Sequence, residues 1–255
     1  MKLGIIGVGH LAEALLKGLL RPGADGPGMA PERIILSPRG KGPALARACG
    51  CTLAADNAAL VAGCDMVLLA VRPGDAAAAL TGLPWRAGQT VLSACAGVPI
   101  AALESVAAPA RIVRIMPIIA GQFGASPTLV HPMMPALAPV LDAWGSTIAL
   151  DHEAQFEAAT TSAAIFGWVQ ALIASSADWT STRGVPEAQA RQLLAETFQA
   201  AAIMVRRTDR PIADLLASIA TPGGITQAGL AHLQNRQVEI AWQEACDLVL
   251  NRLTR

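Results

Sequence analysis

The sequence predicts an α/β fold: an N-terminal Rossmann-type, doubly wound parallel sheet followed by an all-helical dimerisation domain. Three observations predict it. The motif Gly7-Val8-Gly9-His10-Leu11-Ala12 joins the first apolar run to a helical pattern. Short apolar runs then alternate with helical segments through the first half of the chain. From Asp151 onward the pattern is helical throughout.

The elements follow in order. Residues 3–6, 34–36, 66–71, 90–93 and 112–115 are short apolar runs, mostly bounded by Gly, Pro or Asp, and read as buried strands. Helical patterns lie between them at 11–20, 43–49, 57–61 and 75–80. After a Pro-rich passage, 147–150 reads as a last strand. The second half opens with one long helical pattern at 152–182. Gly184-Val185-Pro186-Glu187 stops it and starts another, with Pro at an early helix position. Further helices are expected at 187–207, 211–220 and 226–252. The boundary therefore falls near Asp151, giving a nucleotide-binding domain over 1–150 and a helical dimerisation and substrate domain over 151–255.

Composition excludes several classes of function. The 255 residues are 53% hydrophobic and 15% charged, too apolar for a disordered chain. Lys and Arg total 19, as do Asp and Glu, so neither nucleic acid nor an anionic membrane is an expected partner. There is no Tyr, and Lys occurs only at Lys2, Lys17 and Lys41. A Tyr acid, or a Lys acid beyond position 41, is therefore not available. The five Cys are scattered and no His cluster completes a metal site, so no metal is expected and the thiols read as reduced, in a cytoplasmic protein. The N-terminus runs straight into the Gly motif and does not read as a signal peptide. Residues 115–141 are uncharged but carry Pro117, Pro127, Pro132, Pro135 and Pro139, which exclude one spanning helix. Residues 158–177 carry no charge and have the length of a bilayer span. They read instead as a buried helix of a soluble protein, partly covered by a second subunit.

The Gly motif points to a dinucleotide. Gly7 permits the tight turn, Gly9 removes a side chain where backbone meets a pyrophosphate, and Ala12 lets helix pack on strand. The diphosphate then sits on the helix N-terminus. The second strand runs into Ser37-Pro38-Arg39-Gly40-Lys41, with no acid to hold a ribose 2′-hydroxyl. A hydroxyl and two cations suit a 2′-phosphate, so NADP(H) is expected rather than NAD(H). In the second half, Thr221-Pro222-Gly223-Gly224-Ile225-Thr226 opens a helix and forms a nest of N–H groups suited to a carboxylate. The same residues also serve as an ordinary capped helix start.

Over nearly its whole length the chain resembles the pyrroline-5-carboxylate reductase family. Gly7 to Ala14 resembles the family's opening motif, with His10 where Asn is usual. Ser37-Pro38-Arg39 matches its 2′-phosphate loop, and Asp56-Asn57-Ala58 a segment whose Asn lies by the adenosine ribose. Ala70-Val71-Arg72-Pro73 resembles Ala-Val-Lys-Pro, and Cys95-Ala96-Gly97 falls in its Ser-x-x-Ala-Gly strand end beside the cofactor. Thr221-Pro222-Gly223-Gly224-Ile225-Thr226 resembles Ser-Pro-Gly-Gly-x-Thr. The resemblance implies NAD(P)H-dependent reduction of a cyclic imino acid to proline or a related product. It implies a carboxylate held at Thr221, Gly223 and Gly224, and Thr226 as the catalytic group at the imine nitrogen. It also implies a homodimer through the C-terminal helices, or a higher oligomer built on it.

Two segments depart from the family. Its Met-Pro-Asn-Thr-Pro is Met116-Pro117-Ile118-Ile119-Ala120 here. Its Ser-Gly-Ser-Gly-Pro-Ala-Tyr aligns, counting back from Gly184-Val185-Pro186, with Ser162-Ala163-Ala164-Ile165-Phe166-Gly167-Trp168. Ile118, Phe166 and Trp168 are thereby expected to line a bulkier, more apolar substrate pocket. Two alternatives stand beside the reductase: a catalytically inactive NADP-binding sensor or assembly protein, and an imine reductase for uncarboxylated cyclic imines.

Overall fold

The computed structural model describes residues 1–23 and 27–254. Arg255, where the helical domain as drawn from sequence ends, lies outside the described residues. The chain forms two compact units, Met1–Ala163 with Arg252–Arg255, and Ala164–Asn251.

The first unit is built on one eight-stranded sheet. Its strands are β1 (Leu3–Ile6), β2 (Ile34–Leu36), β3 (Thr52–Leu53), β4 (Met66–Leu69), β5 (Thr90–Ser93), β6 (Arg111–Met116), β7 (Thr128–His131) and β8 (Thr147–Ala149), in the spatial order β3-β2-β1-β4-β5-β6-β7-β8. The order reverses between β1 and β4, whose carboxyl ends form the crevice where doubly wound sheets bind ligands. Pairing is parallel except between β6 and β7, where His131 faces Arg114 and Leu129 faces Met116. The sheet is thus the expected doubly wound parallel one, with a single antiparallel pair. The chain returns through the turn at Ile119–Phe123, too short for a crossover helix, so β7 runs antiparallel.

Strand residues alternate between two apolar layers. Leu3, Ile5, Met66, Leu68, Leu92, Val113 and Ile115 enter one cluster with Leu15, Leu16 and Leu19 of α1 (His10–Leu20). Ile6, Val67, Leu69, Val91 and Ile112 enter the other with Leu60 and Val61 of α3 (Asn57–Gly63). Covering both faces explains why the strands read as continuous apolar runs. The other helices of this unit are α2 (Gly42–Cys49), α4 (Ala76–Leu80), α5 (Ile100–Ala107) and α6 (Ala138–Trp144). Trp144 is fully buried, its indole N–H donating to the Leu15 carbonyl at 2.9 Å, which ties α6 to α1. Arg86 and Gln89 donate to the last carbonyls of α3, Arg86 Nη2 to Cys64 O at 2.7 Å and Gln89 Nε2 to Val61 O at 2.7 Å.

Helix α7 (Ala154–Ser181) begins in the first unit and continues into the second, which holds α8 (Glu187–Arg206), α9 (Ile212–Ile219), α10 (Ile225–Asn235) and most of α11 (Val238–Leu253). The single helix expected at 226–252 is two. Gln237 at φ 55 turns the chain between α10 and α11. Helix α7 is long and apolar enough to cross a membrane by length and composition. Within a single chain only Phe156 and Thr160 of it are buried. Along it Ile165, Phe166 and Trp168 are half-buried, and Trp168 meets Trp242 of α11 edge-on at 5.4 Å between centroids.

Candidate functional site

The Gly loop leaves β1 and enters α1 as expected. Gly7 has φ 89, and a Cβ on it would lie 2.5 Å from the Ala70 carbonyl carbon. Nothing lies within 4 Å of a Cβ built on Gly9, so that space is open for a pyrophosphate. The N–H groups of the first turn of α1 carry no side-chain cap at Gly9. Val8 is buried, Leu11 half-buried and His10 exposed. Expected outcome: Gly9→Ala keeps the thermal midpoint of the wild type but weakens NADPH binding at least tenfold, because the methyl meets only the ligand. A variant that binds NADPH normally would remove Gly9 from the pyrophosphate site.

Beside this loop lies a cavity of about 340 Å³ lined by Ile6, Gly7, Ser37, Arg39, Asn57, Val71, Asp75, Ala78 and Ala79. A second of about 440 Å³ shares Arg39, Asn57, Ala78 and Ala79 and adds Pro38. Asp56 caps α3 by accepting from the Ala59 N–H at 2.7 Å, and so sets Asn57 at the first position of that helix. Ser37, 1% exposed at the end of β2, donates from Oγ to Asn57 Oδ1 at 2.8 Å. This fixes the Asn57 amide so that its Nδ2 hydrogens remain as donors.

Arg39 and Lys41 do not share one role. Lys41 Nζ lies 2.6 Å from Glu13 Oε2, and Lys17 Nζ 2.9 Å from Glu13 Oε1. Hydrogen bonds from Lys41 and then Lys17 hold the Glu13 carboxyl at a pKa of about 2. The two cations of this loop therefore stand in different surroundings. Arg39 lines both cavities, while Lys41 answers Glu13. Among the residues expected beside the cofactor, Ala70 and Val71 are half-buried at the end of β4, and Arg72 and Pro73 are exposed beyond it. At the end of β5, Ala96 and Gly97 are half-buried and Cys95 is 2% exposed, its Sγ 3.5 Å from Val71 O. Burial pushes the Cys95 thiol pKa up, so it packs rather than reacts. Ile118 follows β6, its N–H donating to the buried Ser126 Oγ at 3.0 Å.

Sequence reasoning missed Ile6, Asp75, Ala78 and Ala79 as lining residues. Asp75 had one available signal: it is the acid in the loop after β4.

In the second unit the Thr221–Thr226 segment forms the turn before α10, with Gly223 at φ 73 and Gly224 as the N-terminal cap residue. Two of its N–H groups have partners within the segment and its helix. Gly223 N–H donates to Gln227 Oε1 at 2.8 Å, and Gly224 N–H to the Thr221 carbonyl at 2.9 Å. A carboxylate at this nest would compete with Gln227 for the Gly223 N–H. Thr221 and Gly223 are exposed, and Thr226 is half-buried.

Comparison with known proteins follows the same division. Residues 153–255 match the family model described as pyrroline-5-carboxylate reductase dimerisation, and residues 2–97 the one described as NADP oxidoreductase, coenzyme F420-dependent. Pyrroline-5-carboxylate reductase 3 of Xenopus laevis is 26% identical, the match covering 99% of this chain and 94% of the relative. From end to end the chain is similar to pyrroline-5-carboxylate reductases. Solved pyrroline-5-carboxylate reductases share the fold. The 1-pyrroline-5-carboxylate reductase of Streptococcus pyogenes matches at 25% identity with a TM-score of 0.85, over 100% of this chain and 98% of that one. The Plasmodium falciparum pyrroline carboxylate reductase, solved with NADP bound, matches at 22% identity with a TM-score of 0.86, over 100% and 97%.

Proposed function

We propose that the protein is an NADPH-dependent reductase of a carboxylate-bearing cyclic imine, reducing pyrroline-5-carboxylate or a related imino acid to the cyclic amino acid. The observation that carries this reading is the end-to-end likeness to reductases of this name, combined with an intact cleft at Ser37, Arg39 and Asn57. Residues 1–150 hold the cofactor and residues 151–255 form a homodimer through α7 to α11, in a cytoplasmic enzyme whose five cysteines are free.

When bound, NADPH supplies the hydride to the imine carbon. The protein's own groups bind, orient and exclude water. Arg39, Ser37 and Asn57 engage the adenosine end, and Gly9 admits the pyrophosphate. Cys95, Ala96, Gly97 and Ile118 lie at the carboxyl ends of β5 and β6, where the nicotinamide end of a dinucleotide reaches in doubly wound folds. Thr221, Gly223 and Gly224 hold the carboxylate, and the Thr226 hydroxyl orients a proton at the imine nitrogen. The test is loss of nicotinamide absorbance when NADPH is mixed with a panel of cyclic imino acids. NADPH binding without any turnover would exclude the reductase and leave the inactive sensor.

A second reading, reduction of uncarboxylated imines, is favoured by one observation: Gln227 already occupies the Gly223 N–H. Gln227→Ala separates the two. If a carboxylate competes with Gln227, the KM for imino acids falls severalfold and that for uncarboxylated imines does not change. An unchanged KM for both removes the nest from substrate binding.

A further inference from the structure

We propose that Asp75 reads the adenine base of the bound dinucleotide, its carboxylate accepting a hydrogen bond from the adenine N6 amino group. The inference rests on the NADPH reading above. The short 3₁₀ turn Pro73–Asp75 between β4 and α4 places Asp75 on the wall of the same cavity as Ser37, Arg39 and Asn57. Asp75 stands at the cap position of α4, yet its side chain makes no capping hydrogen bond. Among the described residues no side-chain hydrogen bond or ion pair engages the carboxylate, which leaves its oxygens to accept from a ligand.

The chemistry of the ligand narrows the choice. An ionised carboxylate only accepts hydrogen bonds. The adenosine half of NADPH offers two kinds of donor, the N6 amino group and the ribose 3′-hydroxyl, since the 2′ position carries phosphate. The phosphate belongs with Arg39, and the ribose with the Asn57 amide that Ser37 orients. Around Asp75 the lining is Val71, Ala78 and Ala79, a methyl-rich surface that suits the flat face of a base. A carboxylate facing the 2′-phosphate would repel it, whereas one facing N6 gains a charge-assisted bond. The base, not the sugar, is the donor that fits.

The experiment compares NADPH with its hypoxanthine analogue, which carries a carbonyl in place of the N6 amino group. Dissociation constants are read from nicotinamide fluorescence, without turnover. The wild type should bind NADPH about tenfold more tightly than the analogue. Asp75→Ala should bring that ratio near one. Asp75→Asn, whose amide can donate to the analogue's carbonyl, should also narrow it. Asp75 is exposed and forms no cap bond, so neither substitution challenges the fold. A wild-type ratio near one, or a ratio unchanged in Asp75→Ala, overturns the assignment while leaving NADPH binding intact. Failure of both nucleotides to bind overturns the cofactor reading and this inference with it.

Discussion

Arg114→Met should lower the unfolding free energy by about 3–5 kcal/mol, read from chemical denaturation. Arg114 is a β6 residue only 2% exposed. Its Nη1 lies 3.2 Å from Glu153 Oε1, its Nη2 donates to Glu157, and its guanidinium stands 4.3 Å over the Phe156 ring. Glu153 Oε1 also accepts from the Ile100 N–H at 2.8 Å, so one carboxylate ties the starts of α5 and α7 to the sheet. Removing the cation leaves two carboxylates close together with no positive charge between them. The second oxygen of Glu157 is already buried without a partner, so it has no spare bond to offset the loss. The combination Arg114→Met, Glu153→Gln, Glu157→Leu removes all three charges at once and should recover most of the stability. If the single variant is as stable as the wild type, the cluster is no more than a surface ion pair. The strand carrying Arg114 runs directly into Ile118, so this cluster also sets the base from which that segment leaves the sheet.

The parts legible in the sequence are those in which one local pattern meets one physical requirement. The runs at Leu3–Ile6 and Thr90–Ser93 are buried on both faces, so their strands need no tertiary information to be seen. The Gly7 turn is legible because its φ of 89 is a local backbone requirement, whereas the Ala70 carbonyl that a Cβ there would meet lies at the end of another strand. Strand β7 was hidden because Thr128–His131 sits among prolines, and its antiparallel pairing depends on the turn before it. The break at Gln237 was hidden because its φ of 55 is adopted by a residue with no preference for it. At the site, Arg39 and Lys41 look equivalent two residues apart. Glu13, on another element, separates them, and sequence does not show that α1 brings it within reach. For α7 the apolar composition announces a need for cover, and the single chain buries only Phe156 and Thr160 of it.

Arg39→Ala should raise the dissociation constant for NADPH about 10- to 100-fold and change that for NADH by less than about twofold. Arg39 is the cation that lines both cavities, and its guanidinium can bond the 2′-phosphate through two parallel donors. NADH lacks that phosphate, so it loses nothing there. Lys41→Ala is the control and should leave NADPH affinity within about twofold, because Lys41 is engaged by Glu13 at 2.6 Å. That engagement holds across the working pH range. The Glu13 pKa is depressed from 4.5 to about 2, so the pairing is fully present above 4.5 and is lost only as pH falls through about 2. The preference for NADPH has a different pH dependence. A phosphate monoester takes up its second proton near pH 6, so discrimination should weaken as pH drops below about that value. Isothermal titration with both cofactors at pH 5.5 and 8 reads all of these terms together. An NADPH dissociation constant unchanged by Arg39→Ala would mean that the phosphate lies elsewhere. A large loss in Lys41→Ala instead would mean that ligand binding draws Lys41 away from Glu13.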